Sequence, residues 1–275
     1  MAQAGNSGAL APLVQHAREG GMVKGVAVLT EARSGSSWLG SLTNASGVMG
    51  QTKEWLKPLF LKPEPRGYEA LEQAVLRQAS TENGRFAIKV FPRQLAWSKG
   101  RWGRDFLFEM RRRHDLAFIT LERRDRLRQA ISFYRAGVSN SWTSWDKGRD
   151  VAVPYSFAGI SRAFFQIEQS YAFRRAYLDF SQLPSRHFVY EDLLADPQPY
   201  IEAVAGLLDV GVPASLPVSR FVVQRDDITE DWVARFRQAS AERGAIEAIE
   251  EQPVPRTLQN FARIALKRPL NRRQF

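Results

Sequence analysis

Apolar residues in this chain gather into short unbroken runs, separated by longer stretches with helical spacing. Residues 24–30 (KGVAVLT), 85–91 (RFAIKVF) and 116–121 (LAFITL) are such runs, the pattern of strands covered on both faces. Pro92 closes the second run. A fourth strand followed by a turn is expected in HFVYEDL, residues 187–193. Helices are expected from Ser36 onward (SSWLGSLTNAS) and over 68–80, 102–114, 125–136, 155–180 and 198–209. In the 125–136 segment Leu127, Ala130, Ile131 and Tyr134 share one face, and Ser132 lies away from that stripe. Residues 50–67, rich in Lys, Pro and aromatics, read as an irregular loop. Strands alternating with helices predict a single α/β domain, with a central, mostly parallel sheet flanked by helices. Residues 1–22 are small, polar and Gly-rich and read as a flexible N-terminal leader, which leaves 23–275 as the domain. The tail over 253–275 is basic and weakly patterned.

Composition narrows the chemistry. The 275 residues are 44% hydrophobic and 25% charged, an ordinary globular balance. The net charge of +10 favours a polyanionic partner: nucleotide phosphates, nucleic acid, a sulfated glycan or a membrane surface. The absence of cysteine excludes disulfides, thiol catalysis and Cys-ligated zinc. His16, His114 and His187 have no metal-ligand spacing, and His114 and His187 read as structural. There is no run of 18 apolar residues and no basic region ahead of a long apolar stretch at the start, so a cytoplasmic location is expected.

Two segments are candidate anion sites. The first, EARSGSSWLG, lies between a strand and a helix. Such a turn leaves backbone N–H groups free at the positive end of a helix. Gly35 permits close approach, Ser36 and Ser37 add hydroxyls, and Arg33 adds a charge. The Walker A spacing is absent, which argues against an ordinary nucleotide kinase. A Ser-rich helix cap with nothing bound is the plainer alternative. The second segment, LAFITLERRDRLRQAISFYRA, puts Arg124 at a strand end and Ser132 two turns into a helix. A guanidinium and a hydroxyl there can meet on one phosphate. A solvated basic helix face is the plainer alternative here.

Taken together the two segments resemble the sulfotransferase superfamily. RSGSSWLG is similar to its 5′-phosphosulfate loop, a P-loop-like turn, and Arg124 with Ser132 to its 3′-phosphate motif. VYEDLLADP (189–197) resembles a further superfamily segment. The closest resemblance is to the bacterial trehalose-sulfating type. It is carried by Arg33–Ser36, GQTKEW (50–55), Arg124–Ala136 with Trp142, and TEDWVARFR (229–237), and it spans Val26 to Arg237.

The resemblance implies a sulfotransferase that moves a sulfuryl group from PAPS (3′-phosphoadenosine 5′-phosphosulfate) to an acceptor hydroxyl and releases PAP, with no metal. It implies that the backbone from Ser34 to Trp38 and the Ser36 and Ser37 hydroxyls hold the 5′-phosphate. Arg33 would stabilise the bridging oxygen, Trp38 would stack on adenine, and Arg124 and Ser132 would hold the 3′-phosphate. Cytosolic sulfotransferases use a His on the second strand as base, and here Phe91 stands at that place. The trehalose-sulfating type uses a Glu, matched by Glu54, which becomes the expected general base, although Gln51 and Thr52 depart from that type's pattern. Lys89 is expected at the transferring group or the acceptor, and Arg225 at the 3′-phosphate or adenine. The acceptor would be a carbohydrate, glycolipid or lipopolysaccharide, entering between loops 51–67 and 138–160 with Trp55, Trp142 and Trp145. Nucleic acid is not expected, peripheral association with the inner membrane is, and a homodimer is the base-rate expectation. Two rival readings remain: a non-catalytic polyanion- or nucleotide-binding protein, and a P-loop kinase without its Lys.

Overall fold

The computed structural model describes residues 22–142, 152–214 and 227–244. Four strands form one parallel sheet: β1 (Lys24–Leu29), β2 (Phe86–Val90), β3 (Asp115–Glu122) and β4 (Ser185–Val189), in the order β2-β1-β3-β4. The central strand is held on both sides, with Ala27 opposite Ile88 of β2 and opposite Phe118 of β3. β3 in turn pairs with β4, Thr120 opposite His187.

Alternation along β1 divides the core in two. Val26 and Val28 pack with Leu39 and Leu42 of α1 (Ser36–Ala45) and with Tyr200, Ile201 and Val204 of α8 (Gln198–Leu208). Ala27 and Leu29 face the other way. They join Leu71 and Val75 of α2 (Tyr68–Ala79), Leu95 of α3 (Pro92–Trp102), Leu107 of α4 (Phe106–Arg113) and Leu178 of α6 (Phe157–Phe180). Burial on both faces is why the strands read as continuous apolar runs. A third cluster joins Ala130 and Ile131 of α5 (Arg126–Ser139) to Ile160, Ile167 and Tyr171 of α6 and to Trp232 and Val233 of α9 (Asp227–Arg243). Leu127 and Tyr134 pack on this cluster, so the apolar stripe expected on α5 is its buried face.

The structure adds what the apolar pattern does not carry. Pro92 ends β2 but also opens α3, because its fixed φ suits a first helical position. The helix expected over 102–114 is shorter: Gly103, left-handed at φ 71, stops α3, and Asp105 caps α4 by accepting from the Phe108 N–H. The loop over 50–67 is pinned to the edge of the sheet by a parallel bridge between Lys53 and Ile88. VYEDL contributes a single helical turn, α7 (Tyr190–Leu193), after β4. Residues 1–21 and 245–275 lie outside the described residues, as do Trp145 and Arg225.

Candidate active site

In a parallel sheet the loops leaving the strand ends converge on one side, and ligands collect there. Here the segments following all four strands line one cavity of about 1140 Å³. Arg33 to Trp38, apart from Ser34, come from the turn after β1, and Phe91 and Arg93 follow β2. Arg123 and Asp125 follow β3, and Tyr190 and Glu191 follow β4.

The turn after β1 is fastened from below. Thr30 Oγ1 bonds the Leu121 carbonyl (2.8 Å) and the Ser34 hydroxyl (2.7 Å). The fully buried Ser34 therefore shapes the turn instead of lining the cavity. Glu31, 3% exposed, accepts from the Ala32 N–H (2.7 Å), from Arg93 Nη1 (3.2 Å) and from Ser170 Oγ. Gly35 has a φ of 86, and a Cβ there would lie 2.2 Å from Tyr190 Cδ2. Only glycine fits where the turn and the Tyr190 ring meet. From Ser36 the helix begins, and its first N–H groups lack intrahelical partners.

Arg33 also adopts the left-handed region, at φ 64, a conformation unfavourable for a residue with a Cβ. Its side chain runs across the cavity. Nε donates to Ser132 Oγ (2.8 Å) and Nη1 to the Trp142 carbonyl (2.7 Å). Burial, followed by the nearby charges of Arg123 and Arg135, pushes its pKa below the ordinary value. Cations held this close together favour an anion among them.

At the other side of the turn is a chain of charged groups. Lys89, only 5% exposed, donates from Nζ to Ser37 Oγ (3.0 Å) and pairs with Glu54 Oε1 (3.2 Å). Glu54 Oε2 pairs with Lys57 Nζ (2.7 Å) and accepts from Gln94 Nε2 (3.4 Å). Burial works to raise the Glu54 pKa, but the Lys89 and Lys57 ammoniums outweigh it and hold the carboxyl below its ordinary value. For Lys89, burial dominates over the Glu54 carboxylate and lowers its pKa. The Lys53 carbonyl accepts from the Lys89 N–H (2.9 Å), and this bond brings Glu54 to β2.

The third side is built by α5 and the β4 turn. Arg128, Ser132 and Arg135 recur at i, i+4 and i+7, so one face of α5 presents all three to the cavity. Arg128 pairs with Glu230 (2.6 Å), and Arg135 donates to Thr229 Oγ1 (3.0 Å), which brings the start of α9 to the rim. Trp38 and Tyr190 meet edge to face at 6.0 Å, and the Arg123 guanidinium lies 5.4 Å from the Tyr190 ring. Arg123 also donates to the Arg33 carbonyl (3.4 Å).

The structure thus brings Arg33, Gly35, Ser36, Ser37, Trp38, Glu54, Lys89 and Ser132 to one cavity. It does not bring Arg124 there. The Arg124 guanidinium is exposed and donates twice to the Asp192 carboxylate (2.7 and 2.8 Å). Successive residues leaving a strand point to opposite sides, so Arg123 takes the inward position and Arg124 the outward one. The expected meeting of Arg124 with Ser132 is replaced by that of Arg33 with Ser132. Trp55 is buried against Phe60 and does not line the cavity, whereas Trp142 does. His114 bonds Glu72 (3.1 Å) and His187 bonds Thr120 (2.9 Å), both away from the cavity.

Lys57, Arg93, Arg123, Arg128, Arg135 and Tyr190 also line the cavity and are not among the residues expected from the sequence. The spacing of Arg128 and Arg135 about Ser132 could have revealed those two; nothing local marks the others. Among the described residues no cluster of three or more His, Asp or Glu could hold a metal, and no helix is long and apolar enough to cross a membrane. A family model described as Stf0 sulphotransferase matches residues 26–239. No curated protein matches the chain.

Proposed function

The chain belongs to the Stf0 sulphotransferase family and is a sulfotransferase, and from that premise we propose that it transfers the sulfuryl group of PAPS to a hydroxyl of a carbohydrate, glycolipid or lipopolysaccharide, with Glu54 as general base. Sulfotransferases draw on PAPS as donor and release PAP. The turn after β1 fits the 5′ end of such a donor: the N–H groups and hydroxyls at Ser36 and Ser37 would hold the 5′-phosphate. Ser132, Arg123 and Arg128 would hold the 3′-phosphate, and Trp38 and Tyr190 would flank the adenine.

In the reaction the acceptor oxygen forms a bond to sulfur as the bond from sulfur to the 5′-phosphate oxygen breaks. The acceptor proton passes to Glu54, and negative charge builds on the departing phosphate. Lys89, which is buried, and Arg33 would offset that charge as fixed cations held in place before the reaction. A positioned base contributes about 10²–10⁴-fold. The low pKa of Glu54 keeps it ionised and able to accept a proton at neutral pH.

The observation that carries this reading is the chain Ser37–Lys89–Glu54, closed at 3.0 and 3.2 Å, which links the candidate phosphosulfate turn to the candidate base. Radiolabelled PAPS incubated with cell-envelope extracts tests it. Wild-type protein is expected to label a hydroxyl-bearing product, and Glu54→Gln is expected not to. Equal labelling by both would remove Glu54 from its role.

A further inference from the structure

The segment that carries Glu54 continues as KPLFLKP, residues 57–63, and its turn is an unusual piece of surface. Residues Pro58–Phe60 form one turn of 3-10 helix. The turn is braced from inside. Phe60 meets Trp55 edge to face at 5.3 Å, Leu61 is 3% exposed in the core, and the Phe60 carbonyl accepts from Gln78 Nε2 of α2 (3.0 Å). Leu59, between these anchored residues, is 67% exposed. An apolar side chain held outward on a braced turn differs from one exposed by a loose loop.

The segment on either side of Leu59 is basic. Lys53, Lys62 and Arg66 are exposed along the same segment, and Lys57, two residues before Leu59, lines the cavity. The one acidic residue among them on the outer part, Glu64, pairs with Arg101. Pro58 and Pro63 flank the turn and are exposed as well. Proline withholds a backbone donor that would otherwise have to be desolvated in an apolar medium.

We propose that the Lys57–Pro63 turn is a membrane-docking lip, with Leu59 entering the acyl boundary of an anionic bilayer while Lys53, Lys62 and Arg66 sit among its headgroups. A lone apolar residue gives weak attachment, and so does a few lysines' worth of charge; together they give a reversible one. The lip adjoins Glu54, so docking sets that side of the cavity against the headgroup layer. The acceptor class this selects is the headgroup of a membrane-resident glycolipid in preference to a free sugar. This rests on the reading of the cavity given above.

Vesicle sedimentation tests it. Full-length protein is mixed with sucrose-loaded vesicles of phosphatidylcholine alone or with about one third phosphatidylglycerol, at low salt. Wild type is expected to pellet with the anionic vesicles and not with the neutral ones. Leu59→Asp and Lys62→Glu are each expected to weaken pelleting about tenfold while binding PAP as wild type does, which shows that they are folded. Wild type that stays in the supernatant overturns the proposal, as does pelleting that the two substitutions leave unchanged. Glu54→Gln separates the two claims: it is expected to pellet normally whatever its effect on transfer.

Discussion

At the scale of single residues the proposed chemistry centres on Glu54. Its carboxylate is shared between Lys89 and Lys57, and the two ammoniums keep its pKa low against the opposing effect of burial. A base is active when deprotonated, so a lowered pKa moves the acid limb of kcat/KM downward. The acid limb is expected below the ordinary carboxylate range, and loss of the proton of Lys89, whose pKa burial lowers, is expected to set the alkaline limb. Lys57→Ala removes one of the two cations and is expected to move the acid limb upward, measured as the pH profile of sulfate transfer. An acid limb near neutrality in wild type, or no movement in the variant, would show that another group titrates. Glu54→Gln is expected to lower kcat by about 10²–10⁴-fold and leave PAP affinity unchanged in a titration.

Arg123 and Arg124 make a second residue-scale contrast. They are neighbours in sequence and opposites in space. Arg123→Ala is expected to weaken PAP binding at least tenfold, the scale of a lost charge-assisted contact of about 1.5–3 kcal/mol. Arg124→Ala, which releases only an exposed pair with Asp192, is expected to change it by less than about threefold. The reverse order in calorimetry would mean that Arg124 turns inward when the donor binds.

At the scale of elements, the turn between β1 and α1 depends on its packing against α7. Gly35→Ala places a methyl group on Tyr190 and forces an L side chain to a φ of 86. It is expected to lower the melting temperature and to abolish measurable PAP binding. Adding Tyr190→Ala removes the clash but not the backbone strain, so the melting temperature is expected to recover in part, whereas PAP binding, which also loses the ring proposed to flank the adenine, is not. Full recovery of the melting temperature would show that the strain is unimportant.

This scale also explains what the sequence could and could not disclose. β1, β2 and β3 were legible because burial on both faces leaves an unbroken apolar run. The turn after β1 was legible because its Gly and Ser chemistry is local. α3 was not: it begins with Pro92 and carries Arg93, Lys99, Gly100 and Arg101, so it reads as a break followed by polar surface. α9, with only Trp232 and Val233 buried, has too narrow an apolar stripe to announce itself. Tyr190 lies in a segment that carries the family resemblance, yet its contact with Gly35 spans more than 150 positions. Such contacts are fixed by the strand order β2-β1-β3-β4, which is a property of the assembled sheet.

At the scale of the whole molecule, one cavity joins two ends. The turn after β1, Lys89, Glu54, Ser132, Arg123 and Arg128 all line this cavity, and the proposed reading gives the turn, with Lys89 and Glu54, to one end of the donor and Ser132 with Arg123 and Arg128 to the other. Arg33 spans the gap between them through Ser132 and the Trp142 carbonyl. A ligand phosphorylated at one position satisfies half of this arrangement. The most direct measurement is calorimetric titration of wild-type protein with PAP and, separately, with 5′-AMP, which lacks the 3′-phosphate. PAP is expected to bind at least about a hundredfold more tightly, the equivalent of one or two charge-assisted contacts. Equal affinity for the two nucleotides would contradict the account, because the second end of the cavity would then hold nothing.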